Sequence, residues 1–133
     1  MEPPRRRPGG RGDAVGCTGC HDWSRKHSRQ AVGEKCVGCH DGAYTSFLTE
    51  WTTGLDKPAG QAAQALNRAA AAVARERRAG HKAPEAEALV TEARDALALV
   101  QRARGVHNPP AAESLLDAAR QKAEEALARA ARR

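Results

Sequence analysis

The sequence predicts an all-α protein whose second half forms a helical bundle with a long antiparallel C-terminal helical hairpin. Alanine, leucine, glutamate and arginine dominate that half, and these residues favour helices. β-branched and aromatic residues favour strands, yet the chain has no isoleucine and only 3% aromatic residues. Because 41% of the 133 residues are hydrophobic and most of these are small, we expect a thin core that another group must complete.

Two segments without helical periodicity precede the predicted helices. Residues 1–16 are punctuated by prolines and glycines and are expected to form a flexible basic arm. Residues 17–42 hold all four cysteines and several glycines but no sustained apolar period. We therefore expect a loop-rich segment there. Residues 17–133 are expected to form a single domain, with helices over 43–133.

The first predicted helix begins at Tyr44. Its apolar residues recur at helical spacing: Tyr44, Phe47, Leu48, Trp51 and Leu55. The glycines and the proline of residues 54–60 predict a break in the helix after this face. An alanine-rich helix is then expected to run to about Ala79, where Gly80 would end it.

Two further helices are predicted in the C-terminal part. The third opens at Pro84, a residue suited to a first helical turn, and runs to about Arg104 before Gly105 stops it. The fourth begins with Asn108 as N-cap and Pro109 at the first helical position. Its apolar residues alternate spacings of four and three, which suits close packing on an antiparallel neighbour. They form a narrow alanine seam: Ala112, Leu116, Ala119, Ala123, Ala126 and Ala130.

The segment without apolar periodicity contains the pattern C-x-x-C-H twice, at residues 17–21 and 36–40. This pattern is typical of c-type haem attachment, because its two thiols can reach the two vinyl groups on one porphyrin edge as thioethers. The following histidine can then bind the iron from below the ring. We therefore predict two covalent haems, whose apolar faces would complete the core. The attaching residues are Cys17, Cys20, Cys36 and Cys39, and the proximal iron ligands are His21 and His40.

The same cysteines allow other interpretations. Two C-x-x-C pairs at this separation fit a structural zinc site, and disulfides or a thiol redox pair are further alternatives. The histidines favour haem, because one follows each cysteine pair directly and a zinc ribbon needs neither. Trp23 and the aromatic face that begins at Tyr44 are candidates to cover a haem.

The remaining histidines are candidates for the sixth position on each iron. An iron with both axial positions filled by the protein transfers electrons, whereas an open position binds small molecules. His27 lies between the two motifs and His107 directly precedes the last helix, so both are predicted to be distal ligands. His81 lies in an inter-helix turn and is predicted to be an ordinary surface residue.

With these motifs in place, the chain resembles the C-terminal part of periplasmic multihaem c-type cytochromes of the nitrite-reductase and octahaem-reductase type. The resemblance is carried by the two close C-x-x-C-H motifs, by Tyr44 and Trp51, and by G-V-H-N at residues 105–108. It covers residues 17–130 and is loose over 57–83.

The resemblance also implies a ligand assignment and a function. It places His27 on the haem of the second motif and His107 on the haem of the first, while chain length allows the opposite pairing. The segments that carry the catalytic haem in those enzymes have no counterpart here. One-electron transfer through two bis-histidine haems is therefore predicted, and no catalytic residue is assigned. The alternatives are a haem enzyme or small-ligand sensor with one open iron position, and an assembly module of a larger multihaem complex.

The charge distribution bears on partners and location. The chain carries a formal charge of +6 from 22 basic and 16 acidic residues. Its arginines alternate with acidic residues and lack interleaved aromatics, so no nucleic-acid partner is expected. We expect redox partner proteins, with acidic surfaces favoured, and leave open a homo-oligomer or a larger complex.

No transmembrane segment is predicted. Covalent haem implies assembly outside the bacterial cytoplasm, so a periplasmic or extracellular location is expected, with an export signal that residues 1–16 do not show.

Overall fold

The computed structural model describes residues 16–21 and 28–132, and every regular element within those ranges is an α-helix. The all-α prediction is therefore confirmed. The described helices are α1 (Cys17–Cys20), α2 (Arg29–Val37), α3 (Tyr44–Thr53), α4 (Asp56–Arg78), α5 (Pro84–Ala103) and α6 (Pro109–Ala131). The chain divides into two compact units, Met1–Ser46 and Phe47–Arg133. We call the first the motif unit and the second the helical unit.

The helical unit is organised around α6, which packs against both α4 and α5 far more extensively than those two helices pack on each other. The whole alanine seam of α6 is buried, as predicted. The facing helices present similar small residues, including Ala69 on α4 and Ala93 on α5, both fully buried. Small side chains shorten the distance at which helices pack. This unit therefore builds a core of its own from alanine, leucine and valine.

The α5–α6 pair is an antiparallel hairpin, which confirms the predicted C-terminal hairpin. Glu85 pairs with Arg129, and Glu92 pairs with Lys122. A step of seven residues forward along α5 thus matches a step of seven residues back along α6. Arg129 also bonds Glu125 on its own helix, at 2.7 Å. The hydrogen bond and the charge of Glu125, with a contribution from Glu85, raise the pKa of Arg129 above its ordinary value.

The ends of these helices follow the predicted signals closely. The Asn108 side chain accepts a hydrogen bond from the Ala111 backbone N–H at 3.2 Å and caps α6, with Pro109 at the first helical position. Gly80 has φ +83 just beyond α4. At the end of α5, both Arg104 (φ +60) and Gly105 (φ +66) adopt the left-handed conformation. This reversal brings α6 back along α5.

The predicted break over residues 54–60 is wrong beyond residue 55, because α4 already begins at Asp56. Pro58 lies in its first turn, where backbone N–H groups have no partner within the helix, so a proline is tolerated. Leu55 was predicted to continue the apolar face of α3, but α3 ends at Thr53. Leu55 lies at the N-cap of α4 and is only 6% exposed within the core of the helical unit.

Residues 17–42 were expected to be rich in loops, but they contain two helices. Helix α1 covers the first cysteine pair, and α2 leads into the second. The Ser28 hydroxyl accepts a hydrogen bond from the Ala31 backbone N–H at 3.1 Å and caps α2. Within residues 16–21 and 28–132, no helix is both long enough and apolar enough to cross a bilayer.

Candidate haem-attachment site

The first C-x-x-C-H motif forms one helical turn. Helix α1 begins at Cys17, and the Gly19 backbone N–H donates to the Gly16 carbonyl at 2.8 Å. The His21 backbone N–H then donates to the Cys17 carbonyl, also at 2.8 Å. This is the bond of an α-helical turn, in which positions i, i+3 and i+4 lie on one face. The backbone therefore gives the two cysteine positions and the histidine a common side.

The second motif repeats this turn at the end of α2. The His40 backbone N–H donates to the Cys36 carbonyl at 2.9 Å, which matches the bond in the first motif. The Cys39 backbone N–H also approaches the same carbonyl, at 3.2 Å. Helices α1 and α2 contact each other. One compact unit thus contains two copies of the same local arrangement.

Thioether formation needs free thiols. Cys17, Cys36 and Cys39 are free thiols; Cys17 and Cys39 are exposed, and Cys36 is half-buried. Of Cys20, the structure describes the backbone within α1. Two thiols and an imidazole at positions i, i+3 and i+4 are the donor set of haem c. The residues present therefore fit this group.

The imidazole of His40 stacks on the ring of Tyr44. The ring centroids lie 3.8 Å apart and the ring planes differ by 14°. The intervening turn is closed by the Tyr44 backbone N–H, which donates to the Asp41 carbonyl at 3.2 Å. The Asp41 carboxylate accepts a further bond from the Ala43 backbone N–H at 3.0 Å. Sequence analysis assigned Tyr44 to the apolar face of a helix and missed this contact, although an aromatic residue four positions after the motif histidine was a usable signal.

Each unit has large apolar side chains that are solvent-exposed. In the motif unit, Val37 is 39% exposed and Tyr44 is 36% exposed. In the helical unit, Phe47 and Trp51 are each 41% exposed and stack on each other with centroids 6.1 Å apart. No residue of α3 is buried. The predicted role of this aromatic face as a haem cover stays a prediction.

Of the two predicted distal ligands, His107 lies within the described residues. His27 and the candidate cover Trp23 lie outside the described residues. His107 is exposed and stands in the turn between α5 and α6, where the Asn108 backbone N–H donates to the Gly105 carbonyl at 3.2 Å. This turn belongs to the helical unit. The assignment of His107 to either motif stays a prediction.

His81 has a local structural role. Its Nδ1 atom lies 2.9 Å from an oxygen of the Glu76 carboxylate, five residues earlier and still within α4. Its side chain is 58% exposed. Both observations describe a side chain at the surface of the helical unit, beside Glu76.

The part of the chain that the structure describes contains no group of three His, Cys, Asp or Glu side chains placed to hold a metal ion by themselves. Comparisons with protein-family models, with curated proteins and with solved structures found no match for this chain. The functional interpretation therefore depends on the chemistry of the two motifs.

Proposed function

We propose that this chain is a dihaem c-type cytochrome domain that transfers electrons one at a time. The observation that carries the proposal is the repeated backbone turn, in which the motif histidine donates to the carbonyl of the first cysteine at 2.8 and 2.9 Å. In both motifs this helical turn gives the two cysteine positions and the histidine a common side, as attachment to one porphyrin edge requires. The free thiols of Cys17, Cys36 and Cys39 add chemical support.

The residues that would hold each haem follow from the motifs. Cys17 and Cys20 would form the thioethers of the first haem, with His21 as its proximal ligand. Residues 36–40 would do the same for the second haem through Cys36, Cys39 and His40. Haem c supplies a reversible one-electron Fe(III)/Fe(II) couple when it is bound. The cysteines would tether the porphyrin edge and the motif histidines would bind the iron, with both attachment sites in one unit.

The distal ligands in this proposal are His27 and His107, with His27 on the haem of the second motif and His107 on that of the first. Two protein ligands on each iron would leave no open position for a substrate, and such an iron transfers electrons rather than binding small molecules. The turn that carries His107 is fixed by two left-handed residues and by the capped start of α6. A fixed turn suits a metal ligand, because little backbone freedom is lost on binding.

The proposal extends to relatives, location and partners. We place the chain near the periplasmic multihaem cytochromes that its motifs resemble, and we expect it to be exported before haem attachment. The charge of +6 favours partner proteins with acidic surfaces, because opposite charge speeds encounter. Association would then weaken as ionic strength rises.

The first experiment is production of the chain in a host that matures c-type cytochromes. The denatured mass and a pyridine haemochrome assay should give two covalent haems per chain, and visible spectra should show low-spin bands in the oxidised and the dithionite-reduced states. A colourless protein that carries zinc would contradict the proposal. A high-spin component that binds carbon monoxide at neutral pH would instead support an enzyme or sensor. Two haems that exchange no electrons with an electrode or a partner would favour an assembly module.

The distal ligands are tested by single substitutions with a matched control. His27→Ala and His107→Ala should each convert one of the two haems to a high-spin state and open it to carbon monoxide. His81→Ala should leave both haems low-spin, because His81 pairs with Glu76 on the surface of the helical unit. Unchanged spectra in His27→Ala or His107→Ala would remove that histidine from the ligand set.

A further inference from the structure

The stack of His40 on Tyr44 assigns a specific task to Tyr44. At a centroid separation of 3.8 Å and an angle of 14°, the two rings lie closer and more nearly parallel than most aromatic pairs in proteins. We propose that Tyr44 is a positioning residue that fixes the plane of the His40 imidazole for binding to iron. This inference rests on the proposed function and adds to it a residue outside the C-x-x-C-H motif.

The backbone holds both rings at this contact. On one side, the His40 backbone N–H bonds the Cys36 carbonyl at 2.9 Å and ties the histidine to the end of α2. On the other side, Tyr44 is the first residue of α3, and its N–H bonds the Asp41 carbonyl at 3.2 Å. The Thr45 hydroxyl bonds the Gly42 carbonyl within the same turn. The connection between the rings is therefore a short hydrogen-bonded turn.

A histidine ring needs such a partner if its plane is to be defined. Rotation about the bond between Cβ and the ring is soft, with broad preferences rather than three sharp wells. Metal-binding histidines are usually oriented by a hydrogen bond to the second ring nitrogen. A flat aromatic contact restricts the same rotation by a different means, because turning the imidazole would drive its edge into the phenol ring.

The sequence supplies an internal control. The position four residues after His21 is Arg25, which has no aromatic ring. Because Tyr44 contacts His40, a change at Tyr44 acts first on the haem that would be attached through Cys36 and Cys39. Any spectroscopic effect of a change at Tyr44 should appear in one of two haems and leave the other as a reference within the same molecule.

The test compares Tyr44→Leu, which removes the ring, with Tyr44→Phe, which keeps it, in the matured 133-residue chain. Electron paramagnetic resonance of the ferric low-spin state is the readout, because its g-values respond to the planes of the axial imidazoles. In Tyr44→Leu we expect two haems per chain by mass, with one of the two signals shifted or broadened. Tyr44→Phe should reproduce both native signals. Two unshifted signals in Tyr44→Leu would overturn the inference.

A measurement on the unsubstituted protein tests the contact between the His40 and Tyr44 rings directly. It does not require that Tyr44→Leu acquire its haems. In the dithionite-reduced, diamagnetic state, the axial imidazole protons are displaced by the porphyrin ring current and can be recognised. A nuclear Overhauser effect between the His40 and Tyr44 ring protons is expected, and its absence would refute the stacked arrangement. Failure of the proposed function looks different, because the unsubstituted protein would then contain no covalent haem, a high-spin haem open to carbon monoxide, or two haems that exchange no electrons.

Discussion

The turn between α5 and α6 depends on Gly105. Gly105→Ala tests how much the conformation and packing of this turn contribute to the stability of the helical unit. Gly105 has φ +66, a backbone conformation that side chains disfavour. A Cβ atom added there would lie 2.3 Å from the Cδ1 atom of Leu55 and 2.9 Å from the Cβ atom of Ala112. Leu55 and Ala112 are 6% and 5% exposed, so neither can move aside into solvent.

The magnitude follows from these two effects. The left-handed conformation costs an alanine about 1–2 kcal/mol relative to glycine. Overpacking of a filled core costs about 1–3 kcal/mol. Alanine also restricts the unfolded chain, which offsets about 0.4–1 kcal/mol. We therefore expect Gly105→Ala to lower the free energy of unfolding by about 2–4 kcal/mol, a large part of the stability of a small domain.

Gly80→Ala is the matched control. Gly80 has φ +83, yet an added Cβ there meets no atom within 4 Å. It should therefore show the backbone cost alone, a loss of about 1 kcal/mol. Urea unfolding of the full chain, followed by far-UV circular dichroism, measures both losses. Equal losses for Gly105→Ala and Gly80→Ala would refute the steric argument.

A second substitution isolates the contact with Leu55. Leu55→Ala alone should destabilise the helical unit, because it removes a large side chain from the core. In the Gly105→Ala background the same change also relieves the closest clash. The double variant should therefore lose less stability than the two single losses added together. Additive losses would show that Leu55 and the new methyl group do not compete for space.

Three further predictions concern capping, the alanine seam and haem attachment. Asn108→Ala should cost about 1 kcal/mol through loss of the cap of α6, whereas Asn108→Asp should retain the thermal unfolding midpoint. Ala123→Leu should cost about 1–3 kcal/mol in urea unfolding because its site is filled, whereas Ala128→Leu on the exposed face should be nearly neutral. A chain with both Cys36→Ser and Cys39→Ser should carry one covalent haem by denatured mass, and a mass with two haems would contradict the assignment.

Sequence reasoning worked best where one signal determined one feature. The N-cap at Asn108 and the spacing of the alanine seam are local and periodic, and both were confirmed. The predictions were wrong where one residue was compatible with two structures. Pro58 was taken as a helix breaker, but a proline in the first turn breaks nothing, so α4 begins earlier than predicted. Leu55 fitted the period of α3 and was assigned there, although tertiary packing uses it elsewhere.

The candidate site shows a similar division. The motif residues were identified from spacing alone, because the chemistry of haem attachment requires that spacing. Helices α1 and α2 were missed because no apolar period marks these segments, although α2 contains good helix formers such as Gln30, Ala31 and Glu34. The stack of His40 on Tyr44 was also missed, because it depends on the path of a four-residue turn.

The self-sufficient core of the helical unit has a consequence for the order of events during biogenesis. All nineteen buried hydrophobic residues within the described ranges lie between Leu55 and Ala130, and the connections between the long helices are short. Helical topologies of this kind fold within about microseconds to milliseconds. With export preceding haem attachment, as proposed above, we expect α4, α5 and α6 to assemble soon after export, before any thioether forms. Haem attachment would then order only the segment around the two motifs, after α4, α5 and α6 have folded. A maturation enzyme would need to recognise only that segment.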